Sequence, residues 1–266
     1  MAKLSSAIQF IGTIGNLTVY KRKDSDELIV RKKGGVSKKR IKNDWQFTNT
    51  RRVNVEFGGC STAAKWIRSA MGTIEYLTKD PVSGPLTTYL KPIQKLDQTS
   101  EWGKRDVVLS KNPQYMAGYN LNKTNGFDSM LRSPVEFSFQ KDTLSADIVV
   151  PALIPGYNFF IHGYNPVYRI ELVLGIVPDV FYDKERNKYY PKSNYVFNMV
   201  NKMDTDWFPV SKGSPAIPVS LKYPGTPPDS SFSLMLTIGI RFGTVGADNS
   251  IDMLKYQGAG KVLGAV

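Results

Sequence analysis

Residues of the types that carry acid–base, nucleophilic or metal chemistry are few in this sequence and widely separated. His162, in the string NFFIHGYNP, is the single histidine, so a histidine-rich metal site is excluded and a Ser-His-Asp site would depend on this residue. Cys60 is the single cysteine and lies among apolar and small residues, where a thiol is generally inert. Asp204 and Asp206 are spaced to hold a cation, although acidic turns of this kind are common. We therefore predict neither a metal site nor a cofactor.

The sequence signatures of enzymes are also missing. No phosphate-binding loop, dinucleotide-binding fingerprint or nucleophile elbow occurs in the sequence. A lone histidine beside aromatic residues is more often structural than catalytic. We therefore predict no catalytic residue and a protein that is not an enzyme. A hydrolase that uses His162 is the alternative, and acidic side chains that converge on this residue would favour it.

Basic residues, by contrast, are concentrated near the N-terminus. Residues 1–70 hold 15 Lys and Arg against 5 Asp and Glu, whereas the other 196 residues are nearly neutral. Ten of the fifteen lie in the run KRKDSDELIVRKKGGVSKKRIKND, residues 21–44. Clustered cations suit a phosphate backbone, because each neutralised phosphate releases condensed counterions. The residues predicted to bind nucleic acid or another anion are Lys21, Arg22, Lys23, Arg31, Lys32, Lys33, Lys38, Lys39, Arg40, Lys42, Arg51 and Arg52.

A solvated surface is the alternative explanation of the same run. Most runs of charge face solvent, and edge strands often carry lysine simply to prevent aggregation. Ten cations against three acids across residues 21–42 favour a binding surface instead. Tyr20, Trp45 and Phe47 flank the run and could stack on bases, or could equally belong to a core.

A hairpin and an arm are the elements that position these cations. The strings NLTVYKR and ELIVRKK alternate as strands do and flank the polar turn KDSD, which predicts a β-hairpin. Because neighbouring side chains on a strand project to opposite faces, we expect both strand ends to be cationic on each face. The string GGVSKKRIKND would then leave the hairpin as a flexible basic arm.

A helix with a stripe of small residues is predicted after the arm. Thr48, Asn49 and Thr50 offer N-caps, and apolar residues recur every three or four positions from Phe57 to Met71. Glycine inside a helix costs about 1 kcal/mol relative to alanine, so the string GGCSTAA indicates close approach of a neighbouring backbone. That neighbour lies either in the same chain or in another subunit. In the second interpretation, the self-association residues are Gly58, Gly59, Cys60, Ala63, Ala64 and Ile67.

Strand-like alternation dominates the second half of the chain. The strings SFSLMLTIGIRF and VYRIELVLGIV alternate large apolar residues with small or polar ones, and VEFSFQ and TLSADIVV do so over shorter spans. DVFYDKERNKYYP reads as a further hairpin. Such alternation predicts antiparallel sheets with one buried face.

The fold class predicted from these elements is α+β and mainly β. A basic N-terminal hairpin plus helices is followed by an antiparallel β-sandwich or jelly-roll-like domain. We divide the chain into a basic hairpin and helical module at 1–110, a connecting loop region at 111–132 and an antiparallel β domain at 133–266.

The N-terminal third resembles a family of uncharacterised Bacteroidota proteins. The resemblance rests on the Gly-punctuated hairpin, on the GGVS-type basic loop and on a helix with the pattern T-R-x-N-x-x-E-F-G. Thr50, Arg51, Glu56, Phe57 and Gly58 match this pattern, and the asparagine lies one position later, at Asn54. The resemblance covers about residues 7–71. The family has no established activity, so the resemblance implies relatives but no mechanism.

Taken together, these features favour a structural, self-assembling protein whose basic N-terminal module contacts nucleic acid or an acidic partner. Virion or phage-derived shells and nucleoprotein assemblies share this layout, by analogy of architecture alone. The alternative is a surface glycan-binding or adhesion module that uses Tyr182, Tyr189 and Tyr190. No apolar run approaches the ~20 residues of a membrane span, and the first 15 residues lack a sustained apolar stretch and a small-residue cleavage site. We therefore expect a cytoplasmic protein, or a particle assembled in the cytoplasm.

Overall fold

Two compact units, residues 1–51 and 52–266, make up the chain. The computed structural model describes residues 10–22, 25–32, 34–161, 163 and 166–266, together with the backbone of 2–3. The division lies near residue 51, whereas the sequence predicted a connecting region at 111–132. The reason is a shared core, since Ile67 and Met71 of the helical segment pack with Val173 and Met235 of the long strands. Helices and strands after residue 51 therefore belong to one unit.

The first unit is a small antiparallel sheet followed by short helical turns. Its elements are β1 Ala2–Lys3, β2 Gly12–Ile14, β3 Leu17–Lys21, β4 Leu28–Lys32, α1 Lys38–Asn43 and a 3-10 helix at Trp45–Phe47. The strands lie in the order β1-β4-β3-β2, and β3 and β4 form the predicted hairpin. Val19 and Leu28 are buried in this sheet.

The second unit combines one long helix with most of the strands. Helix α2, Thr48–Met71, begins in the first unit and continues into the second. The remaining helices are α3 Ser83–Tyr89, α4 Lys91–Lys95 and α5 Phe127–Met130, with 3-10 helices at Gly72–Leu77 and Pro113–Met116. The strands are β5 Glu136–Gln140, β6 Ser145–Val150, β7 Val167–Pro178, β8 Phe181–Asp183, β9 Lys188–Tyr190, β10 Val200–Asp204, β11 Phe208–Pro209, β12 Ile217–Lys222, β13 Phe232–Val245, β14 Ile251–Met253 and β15 Ala259–Ala265.

The fold is α+β with more strand than helix, and the paired strands are antiparallel, as the sequence predicted. A six-stranded sheet runs β10-β7-β13-β14, with β11 beside β7 and β15 beside β13. A three-stranded sheet, β12-β6-β5, shares a hydrophobic core with it, in which Ile148 packs with residues such as Leu174 and Leu236. Strands β8 and β9 form the predicted second hairpin.

The prediction of one buried face is wrong for the central strands β7 and β13. Nearly every residue of both strands is buried, because α2 and the 3-10 helix after it cover the face that the sequence assigned to solvent. The small residues on that face are there for close packing. A Cβ atom added to Gly175 would lie 2.6 Å from the carbonyl oxygen of Ala70, and one on Gly239 would overlap Leu77 Cδ1. The central sheet is therefore sandwiched between helices and the smaller sheet.

Candidate anion-binding surface

Helix α1 occupies the segment that the sequence predicted as a flexible arm. Ser37 is its N-cap, and the Ser37 hydroxyl accepts a hydrogen bond from the Arg40 amide at 3.3 Å. At the other end the Arg40 guanidinium donates to the Asp44 carboxylate at 2.7 Å, four residues along. The string SKKRIKND contains the residues of both the N-cap and this ion pair. These residues were the sequence signal for a helix, which an interpretation based on charge alone overlooked. The arm is therefore an ordered helical turn.

Arg51 stabilises this turn rather than presenting a free charge. Its guanidinium donates to the carbonyl oxygens of Ile41 and Asp44, both at 2.8 Å, and to the Thr48 hydroxyl at 3.0 Å. Carbonyls at the end of a helix have no partner within the helix, so an arginine that binds them acts as a C-terminal cap. Arg51 was predicted to bind an anion, and its donors are largely occupied within the first unit.

Three lysines of α1 form an exposed cationic surface. Lys38, Lys39 and Lys42 are exposed, and none has an ion pair among the residues that the structure describes. Trp45 follows two residues after the helix and is 81% exposed, which is unusual for so large an apolar side chain. We call Lys38, Lys39, Lys42 and Trp45 the α1 surface. It is the part of the predicted site in which cations and an exposed aromatic ring lie on one short segment.

The described cations of the β3–β4 hairpin lie towards opposite ends of it. In the antiparallel register Lys21 lies opposite Leu28, whereas Lys32 lies opposite Leu17. The two lysines are therefore four residues apart along the hairpin, roughly 14 Å at about 3.4 Å per residue. Among the described residues, each end of the hairpin therefore carries cations from one strand only.

The remaining predicted cations have separate environments. Lys21 contacts the Asp26 carboxylate at 2.6 Å on the surface. Arg31 lies over the Tyr20 ring, 6.0 Å from its centroid, and Arg22 is exposed. Lys23 and Lys33 lie outside the described residues. Arg52 belongs to the second unit, where its guanidinium lies 3.7 Å from Glu101 and 5.1 Å from the ring centroid of Trp102.

The small residues of α2 pack against neighbours in the same chain. Gly59, Cys60, Ala63, Ala64 and Ile67 are buried, and only Gly58 is partly exposed. A Cβ atom on Gly59 would lie 2.8 Å from the Tyr189 ring, whereas one on Gly58 would meet nothing within 4 Å. Close packing inside the second unit thus accounts for the stripe, and its buried side chains offer no surface to a second copy.

Cys60 is part of this packing. Its thiol donates to the Gln94 side-chain oxygen at 3.2 Å, and burial raises the pKa of Cys60 to about 11. A thiol held protonated in this way is a poor nucleophile.

Two buried carboxylates of the second unit, Glu56 and Glu171, are engaged in ion pairs. Burial by itself would raise the pKa of Glu56, but the bidentate contact with Arg105, at 2.6 and 2.7 Å, more than offsets it, and the pKa lies below its ordinary value. Glu171 in β7 contacts Arg241 and lies 3.0 Å from Arg169. These pairs tie elements together. The buried Asp179 carboxylate instead accepts hydrogen bonds from the Ser110 amide and hydroxyl, and burial raises the pKa of Asp179.

The two aspartates that first suggested a cation site have different surroundings. Asp204 joins the Glu171 cluster through Arg169, at 3.0 Å, whereas Asp206 is exposed on the following turn. His162 lies outside the described residues. Within the part of the chain that the structure covers there is no cluster of three or more metal-ligating side chains. In the same residues no helix has both the length and the apolar character needed to span a bilayer.

One concave feature of the second unit was not predicted. A groove of about 500 Å³ lies between α2 and the β8–β9 hairpin, and aromatic side chains of Trp66, Tyr190 and Phe197 line it. We call it the aromatic groove. Of the tyrosines proposed for glycan binding, Tyr190 is partly exposed in this groove and Tyr189 is buried beneath it. No local signal marks Trp66 and Phe197, because residues 131 positions apart meet only in the folded chain.

Comparison with models of protein families, with curated proteins and with solved structures gave no match to this chain.

Proposed function

We propose that this chain is a non-enzymatic, structural and self-assembling protein whose N-terminal unit contacts nucleic acid. The observation that carries the proposal is the α1 surface, in which three exposed lysines without ion pairs among the described residues share one short segment with an exposed tryptophan. Phosphate groups would form ion pairs with these lysines, and the counterions condensed on the nucleic acid would be released. Bases of a single strand would stack on Trp45, since every base presents a π-face.

The position of two of these lysines supports a functional role. Lys38 and Lys39 form the first turn of α1, and that turn contains no acidic residue. Helix polarity favours acids there and disfavours cations, by about 0.3–1 kcal/mol for each charge. A choice of residue that opposes local stability is expected where a site serves binding.

Self-assembly is the second part of the proposal. Strand β2 lies at the end of the first unit's sheet, and Ile11, Ile14 and Leu17 around it are exposed by 67%, 64% and 45%. An exposed edge strand with apolar side chains is a template for pairing with another chain. This edge, rather than the small residues of α2, is the surface that we assign to contacts between copies. A virion, phage-derived shell or nucleoprotein assembly would use both surfaces.

The state of the purified protein tests the proposal. We expect particles larger than a monomer by light scattering, with an absorbance ratio that indicates nucleic acid and falls after nuclease treatment. Replacing Ile14 with Lys places a charge on the edge and should shift the distribution towards monomer, whereas Val149→Lys, on an exposed site of β6, should not. A monomer at tens of micromolar in wild type, free of nucleic acid at low salt, would contradict the proposal.

A surface glycan-binding module is the second candidate function. The observation in its favour is the aromatic groove, since sugar rings pack on exposed aromatic side chains such as Tyr190. An acidic protein partner for the α1 surface is a further possibility, which the salt dependence of binding would separate from nucleic acid.

A further inference from the structure

The aromatic groove has rigid walls. On one side the rings of Trp66 and Phe197 contact each other with centroids 4.6 Å apart. Phe197 is held in place by its neighbour Asn198, whose backbone N–H donates to the Ser69 hydroxyl at 2.6 Å. On the other side Tyr190, which is 38% exposed, ends strand β9. The volume of about 500 Å³ is within the range of small-molecule sites.

The charged lining of the groove is entirely cationic. Lys65 and Lys188 line it, and no acidic side chain is among the described residues that do so. Lys65 lies 4.6 Å from the centre of the Phe197 ring, so its charge is held at the aromatic wall. The nearby Asp183 carboxylate accepts hydrogen bonds from the amides of its own turn, at 2.9 and 3.1 Å.

Asn187 adds an oriented donor. Its side-chain oxygen accepts a hydrogen bond from the Tyr182 hydroxyl at 2.5 Å, so the amide NH₂ is the group left to bind a ligand. Lysine ammonium groups likewise donate and do not accept. A groove that offers donors and aromatic faces without carboxylate acceptors suits an anion with a planar ring. A neutral sugar, whose hydroxyls donate as well as accept, is less well matched.

We propose that the aromatic groove binds a nucleotide unit of single-stranded nucleic acid, with the base against the aromatic wall and phosphate at Lys65 and Lys188. This inference deepens the proposed function and rests on it for the class of ligand. It adds a second contact, which distinguishes bases from bare backbone. The α1 surface supplies three lysines and the single ring of Trp45, whereas the groove would supply a second place for base stacking.

Two oligonucleotides of equal charge, one with bases and one without, distinguish base stacking from charge contacts. The full chain is titrated with a fluorescent 12-nucleotide thymidine strand and with an abasic strand of the same length. We expect wild type to bind the thymidine strand more tightly by about tenfold, the effect of one stacked base. Phe197→Ala and, independently, Tyr190→Ala should each lower this preference, and stacking on Trp45 accounts for the part that remains. Tyr157→Ala removes an aromatic side chain that is 76% exposed and does not line the groove, so it should leave the preference intact.

The outcomes distinguish the groove from the α1 surface. A preference that is unchanged in both groove variants would overturn the groove proposal and leave the α1 surface untouched. Equal wild-type affinity for the two strands would contradict base stacking both in the groove and on Trp45. Failure of the α1 surface would instead appear as abasic-strand binding that is unchanged by replacing Lys38, Lys39 and Lys42. Displacement of the thymidine strand by a neutral oligosaccharide would also overturn the proposal, in favour of a glycan site. Circular dichroism and thermal unfolding confirm that each variant is folded.

Discussion

Two adjacent glycines of α2 have opposite surroundings, and this contrast decides their effects on stability. Gly58 has open space where a Cβ would be placed, whereas a Cβ on Gly59 would lie 2.8 Å from the ring of Tyr189 and 2.9 Å from the Gln94 amide nitrogen. Both neighbours of Gly59 are buried, so they cannot move aside into solvent.

Gly58→Ala should therefore stabilise the protein by about 0.5–1 kcal/mol through the lower entropy of the unfolded chain. Gly59→Ala should destabilise it by about 1–3 kcal/mol through overpacking. Urea unfolding of the two variants measures both changes against wild type. The same sign for both variants would show that the packing described for α2 is wrong.

Glu171 makes stability depend on pH in a defined direction. Burial would raise the pKa of its carboxyl, but Arg241, Lys202 and Arg169 more than offset this effect and hold the pKa at about 2 rather than 4.5. A carboxyl with a lowered pKa stabilises the fold fully above its ordinary pKa, and this stabilisation is lost as the pH falls towards the folded pKa.

Glu171→Gln should lower the free energy of unfolding by about 3–5 kcal/mol at neutral pH, because two partly buried arginines, Arg169 and Arg241, lose their buried carboxylate partner. The difference from wild type should shrink as the pH falls from about 4.5 towards 2. Urea unfolding at several pH values measures it, with Glu136→Gln on an exposed strand as the control. A difference that is constant across this window would contradict the ionised, paired state of Glu171.

At the scale of elements, α1 depends on one side chain outside it. Its end carbonyls at Ile41 and Asp44 accept hydrogen bonds from Arg51. A helix of six residues is too short to be stable by itself in water. Arg51→Ala should therefore increase amide exchange across Lys38–Asn43 by about tenfold, for the loss of roughly 1–2 kcal/mol of charge-assisted hydrogen bonds.

Arg22→Ala is the matched control for this exchange experiment, since it removes one exposed arginine from the same unit without touching α1. Hydrogen exchange followed by mass spectrometry reports on the segment directly. If Arg51→Ala leaves the exchange of α1 unchanged, the capping role is wrong, and Arg51 returns to the set of available cations.

Several elements could be predicted from the sequence and others could not, for physical reasons. The spacing of apolar residues in β7, β13 and α2 is a local property of the chain, and each prediction of strand or helix is confirmed. The cover over the second face of β7 depends on contacts between residues such as Ala70 and Gly175, far apart in sequence. Alternation with small residues looks the same whether that face meets water or a helix.

The candidate site divides in the same way. The concentration of cations is a property of composition, but their distribution depends on the antiparallel register, which separates Lys21 from Lys32 along the hairpin. Whether a given arginine is available also depends on its partners. Arg51 and Arg52 look alike in sequence, yet one caps α1 and the other lies beside Glu101 and Trp102.

At the scale of the whole molecule, the two units carry different surface features. The first unit carries the α1 surface and the exposed edge of β2, whereas the second supplies a large core and the aromatic groove. In our account the first unit supplies the strength of nucleic-acid binding through charge. Such binding is largely independent of sequence and weakens steeply with salt.

The salt dependence of oligonucleotide binding tests this central claim most directly. Three proteins are titrated with a single strand of mixed sequence at several salt concentrations. They are wild type, the triple Ala variant of Lys38, Lys39 and Lys42, and a charge-matched control. The control is the triple Ala variant of Lys95, Lys212 and Lys255, which are exposed lysines of the second unit. Each phosphate contact on a single strand adds about 0.7 to the slope of log affinity against log salt. We predict that the α1 variant lowers the slope by about 2 and that the matched variant leaves it near the wild-type value. Equal slopes for all three proteins, or no wild-type binding at low salt, would contradict the assignment of the α1 surface to nucleic acid.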